Sequence, residues 1–114
     1  MDYLDCVEVA TGDAPDTSVI WLHGLGASGH DSEPVVPHLG LPEHAAVRFV
    51  FPHAPEIPVT INGGMVMPAW YDIRSLDRAG DLDEDRILAS SQATRDLIER
   101  EIQRGVDSRR IIVA

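Results

Sequence analysis

At 114 residues the chain is long enough for one domain at most and, in an α/β architecture, for half of one. Its 44% hydrophobic and 25% charged residues are those of an ordinary globular protein and exclude a disordered tail or a fibrous repeat. Nine basic residues, all arginine, stand against 19 acidic ones, and the net charge of -10 would repel a phosphate backbone or an anionic lipid surface, which excludes nucleic acid and membrane as partners. The lysine-free, Asp-rich bias fits a salt-adapted proteome or an Arg-favouring genome with a solvated acidic surface. Cys6 has no cysteine to pair with, and the start Met1-Asp2-Tyr3-Leu4-Asp5 is acidic where a leader would be basic and then apolar, so a reducing cytoplasm is expected. No apolar run approaches the ~18 residues of a membrane span.

In chain order, residues 4–9 predict a short half-polar strand, an edge hairpin or lead-in, ended by the turn cluster at residues 12–16. Residues 18–22 are apolar on both faces, the pattern of a central strand, and lead directly into the glycine loop of residues 24–29. Pro34 and Pro37 confine any helix over residues 33–39 to a short one. Residues 47–51 predict a strand stopped by Pro52. From Pro52 to Asp83 the breakers Pro55, Pro58, Gly63, Gly64, Pro68 and Gly80 predict a long, ordered, irregular and functional loop.

A capping box is expected at Asp81 and Glu84, within the solvated acidic turn of residues 77–85. The helix that follows should present Ile87, Ser91, Thr94, Leu97, Ile98 and Ile102 on one face, with Asp96 and Arg100 paired outside it and Gly105 at C′. Residues 110–114 begin a buried strand. The order predicts an α/β fold with a mostly parallel sheet flanked by helices, in one domain over residues 1–114.

Gly24, Gly26 and Gly29 satisfy G-x-G-x-x-G after a strand, which allows a nucleotide-binding βαβ module that uses residues 24–29 for phosphate. The acids Asp31 and Glu33 follow where a pyrophosphate would sit, and the next strand ends in Pro52-His53, not in a ribose-binding acid. The alternative is an oxyanion loop, in which glycines turn the backbone so that an amide, most naturally that of Leu25, points at a developing alkoxide.

The blocks Trp21-Leu22-His23-Gly24-Leu25-Gly26, Pro52-His53-Ala54-Pro55, Pro58-Val59-Thr60-Ile61-Asn62-Gly63-Gly64, Met67-Pro68-Ala69-Trp70-Tyr71-Asp72-Ile73 and Arg110-Ile111-Ile112-Val113-Ala114 resemble, in order and spacing, the carboxylesterase and acyl-protein thioesterase family of α/β-hydrolases. The resemblance runs from Ser18 onward. It implies an N-terminal half of an α/β-hydrolase fold that stops just before the G-x-S-x-G nucleophile elbow, with the triad absent from this chain. It further implies a serine hydrolase of short to medium acyl esters or thioesters, needing no cofactor, with the C-terminal half of the same protein as partner. An uncovered strand at residues 111–113 implies that the piece alone aggregates or stays partly unfolded.

By this reading Leu25 supplies an oxyanion amide, while His23, Gly24, Gly26 and His53 shape the loop. Ile61, Met65, Val66 and Met67 either cover the sheet or receive the acyl chain, and Trp70 fills the core, walls the acyl pocket, or does both. Asp72 should tie its own loop by hydrogen bonds. His30, Asp31, Glu33, His38 and His44 lack the spacing of a metal site, and Ser28, Ser90 and Ser91 lack an elbow context for a nucleophile.

Overall fold

The computed structural model describes residues 2–74 and 82–114. Among them run the strands β1 (Cys6–Ala10), β2 (Thr17–Ile20), β3 (Val47–Pro52), β4 (Glu56–Val59), β5 (Met65–Pro68) and β6 (Ile111–Val113), and the helices α1 (Gly29–Ser32) and α2 (Glu84–Gln103). The main sheet has the order β1-β3-β2-β6, with β2 parallel to both β3 and β6 and β1 antiparallel to β3. A mostly parallel sheet with its lead-in strand at one edge is what the sequence pattern predicts.

Alternation along β2 and β3 sorts the core onto two faces. Phe49, Phe51 and Val47 meet Val19 and Trp21 on one side, beneath Val36 of the 3-10 turn Glu33–His38. Ile20 and Val50 meet Leu97 of α2 on the other, with Leu22, Ile98 and Ile111 around them. Strands buried on both faces need apolar side chains on both, hence Val19 and Ile20 in β2 and Phe49, Val50 and Phe51 in β3, with Ser18 and Arg48 as polar exceptions near the strand starts.

Four expectations are corrected. The stretch after Pro52 is not irregular: β4 and β5 form an antiparallel hairpin in which Ile57 and Val59 point inward while Glu56 and Pro58 point out. Pro58 is tolerated because a two-stranded hairpin has open edges, and Gly63 and Gly64, at φ 68° and 80°, make the left-handed turn. The cap of α2 is Asp83, whose side chain accepts from the Arg86 amide; Glu84 is the first helical residue, and Asp77, Gly80 and Asp81 lie outside the described residues. The inner face of α2 includes Glu101, fully buried, whereas Ile102 and Ser91 are exposed. Arg100 does not pair with Asp96. It lies over the Tyr3 ring at 5.0 Å and 3.6 Å from Glu8, while Asp96 accepts from Gln92.

Gly105, at φ 101°, closes α2 from the C′ position, and the Val106 amide reaches back to the Glu101 carbonyl. β6 pairs with β2, and Ile112 and Val113 stay about half exposed. No helix among the described residues is long and apolar enough to cross a membrane.

Candidate active site

β2 ends at Ile20, and four residues later the chain turns sharply at residues 24–27. The Ala27 amide donates to the Gly24 carbonyl at 3.1 Å and Gly26 has φ 74°, the geometry of a type II turn with Leu25 at its first central position. The Gly26 amide donates to the Pro68 carbonyl at 2.9 Å, so the turn is bolted to the end of the hairpin. The Leu25 amide donates to no group among the described residues, and the residue is 44% exposed. An unengaged amide on a rigid turn is a donor available to a ligand.

The turn is braced by His23, which is buried. Its Nε2 accepts the Ala54 amide at 3.0 Å, so Nδ1 carries the proton and donates to the Gly24 carbonyl at 2.7 Å. Both ring nitrogens are engaged in holding backbone, which leaves none to serve as a general base. His53 also holds backbone, through one ring nitrogen: its Nδ1 accepts the Gly29 amide at 3.1 Å, and its ring packs against His30 at 5.3 Å between centroids. Gly29 lies against the Phe51 carbonyl, with no room for a Cβ. The glycine loop thus opens into a single helical turn, and Asp31 holds the Ser28 amide at 2.7 Å. That arrangement offers no long helix N-terminus to a pyrophosphate, which weighs against the nucleotide reading.

The remaining candidate residues divide between two places. Met67 lies beside the turn, its sulfur 3.6 Å from where a Cβ on Gly26 would sit and 3.6 Å from the Asn62 side-chain nitrogen. Ile61, Met65 and Val66 stand exposed on the hairpin, the last two at 64% and 59%. Trp70 is half-buried, packs against His23 with ring centroids 5.1 Å apart and planes tilted by 35°, and donates its indole N–H to the His23 carbonyl. Its other side lines a groove of about 440 Å³ with Leu22, Ile87, Ser90, Thr94 and Ile98. Ser90 is spent on the Trp70 carbonyl, and burial pushes the Cys6 thiol pKa up, so neither is a nucleophile. Among the described residues no three His, Cys, Asp or Glu side chains gather as a metal site.

A carboxylate relay that sequence spacing only half reveals anchors the base of the hairpin. Asp72 accepts from the Thr60 amide at 2.8 Å and the Thr60 hydroxyl at 2.6 Å, while its own amide donates to Asp83, the cap of α2. The Thr60 hydroxyl and amide, with Arg74, hold the Asp72 carboxyl below its ordinary pKa; the Asp72 amide, then Arg86, do the same for Asp83. A carboxyl whose pKa is depressed on folding contributes stability above its unfolded pKa and loses it as pH falls through the folded value. The melting temperature should therefore decline from about pH 4 downward. Asp72→Asn should flatten that decline, and identical pH profiles for the two proteins would show that Asp72 carries none of it.

Residues 4–114 match the phospholipase/carboxylesterase family of α/β-hydrolases. The chain is 40% identical over 110 residues to acyl-protein thioesterase 1 of Schizosaccharomyces pombe, covering 96% of this chain and 48% of that protein. It is 38% identical over 110 residues to acyl-protein thioesterase 1 of Cryptococcus neoformans, covering 94% and 46% respectively. In structure it is similar to SOBER1 of Arabidopsis thaliana, with TM-score 0.78, 32% identity and coverage of 85% of this chain and 47% of that one. Against acyl-protein thioesterase 2 of Zea mays the TM-score is 0.74 at 28% identity, covering 85% and 41%. The chain spans about half the length of the curated relatives it matches. A parallel sheet leading into a braced glycine turn, with relatives of this kind over almost its whole length, places the chain in the phospholipase/carboxylesterase family.

Proposed function

We propose that this chain is the N-terminal half of a serine hydrolase that cleaves carboxylic esters or thioesters of short to medium acyl chains. It supplies the oxyanion loop and the acyl-contacting hairpin, and a C-terminal half supplies the triad. The observation that carries this reading is the unengaged Leu25 amide on a turn fixed by His23, Ala27 and Pro68, beside the apolar hairpin. The names of the relatives, thioesterase and carboxylesterase, support the same reaction class.

In this reading a serine hydroxyl of the C-terminal half gives its proton to that half's histidine and adds to the acyl carbon, the carbonyl π pair moves onto the oxygen as negative charge, and its return expels the alcohol or thiol, which takes the proton. The Leu25 N–H, already oriented, stabilises that charge more than it stabilises the neutral substrate, which is what lowers the barrier. His23 and His53 hold backbone, and neither takes the proton. The half-exposed Ile112 and Val113 of β6 receive the complementary half, and the free Cys6 fits a reducing compartment. The net charge of -10 on this half disfavours its contact with nucleic acid or an anionic membrane.

The test is complementation. The chain co-expressed with the C-terminal half of the Schizosaccharomyces pombe relative should hydrolyse acetyl, butyryl and octanoyl esters and thioesters, while either half alone stays inactive. A folded, complemented protein without such activity would remove the reading. Within it, Met65→Ala should cost ~1–3 kcal/mol in kcat/KM for octanoyl and little for acetyl, because only a longer chain reaches the exposed hairpin. A chain-length profile unchanged from wild type would leave Met65 as cover alone.

A further inference from the structure

We infer that Trp70 is a positioning residue for the oxyanion donor, acting through the His23 carbonyl; the inference rests on the oxyanion reading of Leu25. Two consecutive peptide planes set where the Leu25 N–H points. The second carries both the Gly24 carbonyl and the Leu25 N–H, which lie on opposite sides of a trans peptide, so whatever holds the carbonyl aims the amide. That carbonyl is held twice, by the His23 Nδ1–H and by the Ala27 amide.

The first plane carries the His23 carbonyl, and among the described residues one donor reaches it, the Trp70 indole N–H at 2.9 Å. Sterics do not replace that bond. A Cβ at Gly24 would meet nothing within 4 Å, so the joint between the two planes is free of contact and glycine gives it no torsional preference of its own. If the indole lets go, the His23–Gly24 peptide is free to rotate, and only the two bonds on the Gly24 carbonyl still aim the Leu25 N–H.

The indole is itself well anchored. Its ring packs against His23 at a tilt, the Trp70 carbonyl accepts from Ser90 of α2, and the chain just before it takes the Gly26 amide at Pro68 and sends the Ala69 amide to the Pro55 carbonyl. Trp70 therefore links three bodies, the hairpin, the first turns of α2 and the oxyanion turn. Orientation of the donor depends on the hairpin being seated.

Trp70→Phe in the complemented hydrolase keeps an aromatic ring on His23 and removes the N–H. Losing a hydrogen bond of ordinary strength from a group that acts only in the transition state predicts about a tenfold fall in kcat. KM for the acetyl ester should stay within about twofold, and a trifluoromethyl ketone that mimics the tetrahedral adduct should bind about tenfold more weakly, in step with kcat. Benzothienylalanine at position 70 replaces the N–H by sulfur while keeping the bicyclic shape, and should reproduce the fall in kcat with a melting temperature lower by no more than a few degrees, as the loss of one hydrogen bond predicts. A Phe or benzothienylalanine variant with wild-type kcat, or one whose only change is a lower melting temperature, would overturn the assignment. Leu25→Pro separates the two levels: if it abolishes turnover while Trp70→Phe does not alter kcat, Trp70 alone is removed, and if it leaves turnover intact, the oxyanion reading falls and this inference with it.

Discussion

Replacing Leu25 by proline is expected to lower kcat of the complemented hydrolase by ~10²–10³ while the fold and substrate binding stay close to wild type. Leu25 is the first central residue of a turn whose second, Gly26, has φ 74°, and proline at that first position is favoured in type II turns. The ring closes onto the one backbone nitrogen in the turn that the oxyanion reading needs. No protein hydrogen bond is lost, because among the described residues that amide makes none. Leu25→Ala, in contrast, keeps the amide and trims a residue already 44% exposed, so it should leave kcat within about twofold. Paired measurements of kcat, KM and melting temperature on the two variants decide the matter. A folded Leu25→Pro protein with near-normal turnover would show that the alkoxide is stabilised elsewhere.

What could be read from the chain alone was local. Apolar residues on both faces of β2 and β3, Gly26 after a strand, and the capping glycine Gly105 each follow from neighbours within a few positions, and each stands where its pattern puts it. The hairpin of β4 and β5 was hidden because Pro58 and paired glycines signal a break, and only its edge position makes proline compatible with a strand. Glu101 was hidden for a different reason. A carboxylate on the apolar side of a helix looks like an interruption until Ser18, 83 positions away, and Arg48, 53 away, are seen to meet it. The tautomer of His23 likewise hangs on Ala54, 31 residues on, and the Trp70 indole reaches a carbonyl 47 residues back. Periodicity encodes which face is buried; it carries no record of which distant partner satisfies a buried polar group.

Glu101 supports the second large expectation, on stability. Its carboxylate is fully buried and accepts from Ser18 Oγ at 2.7 Å and Arg48 at 2.8 Å through one oxygen, and from Arg104 at 2.9 Å through the other. Arg104 also bonds Glu8 of β1 at 2.7 Å, so one side chain of α2 ties together β1, β2 and β3. Removing one partner of a buried ionic cluster typically costs ~3–5 kcal/mol, because the charges left behind have been stripped of water without their counter-charge. Arg48 and Arg104 keep partial access to solvent and Glu8 remains as a partner, which argues for the lower end of that range for Glu101→Ala. For a domain of ~150–250 residues this corresponds to a melting temperature lower by roughly 6–12 °C. Glu101→Gln retains the volume and one acceptor and should cost less, about 1–3 kcal/mol. Because Ser18 and Arg48 lie toward the starts of their strands and the Leu25 turn lies beyond the end of β2, kcat and KM measured well below the transition should be unchanged in both variants. A Glu101→Ala protein melting within about 2 °C of wild type would mean that the exposed arginine ends simply rehydrate, and that α2 is held to the sheet by Leu97 and its apolar neighbours alone.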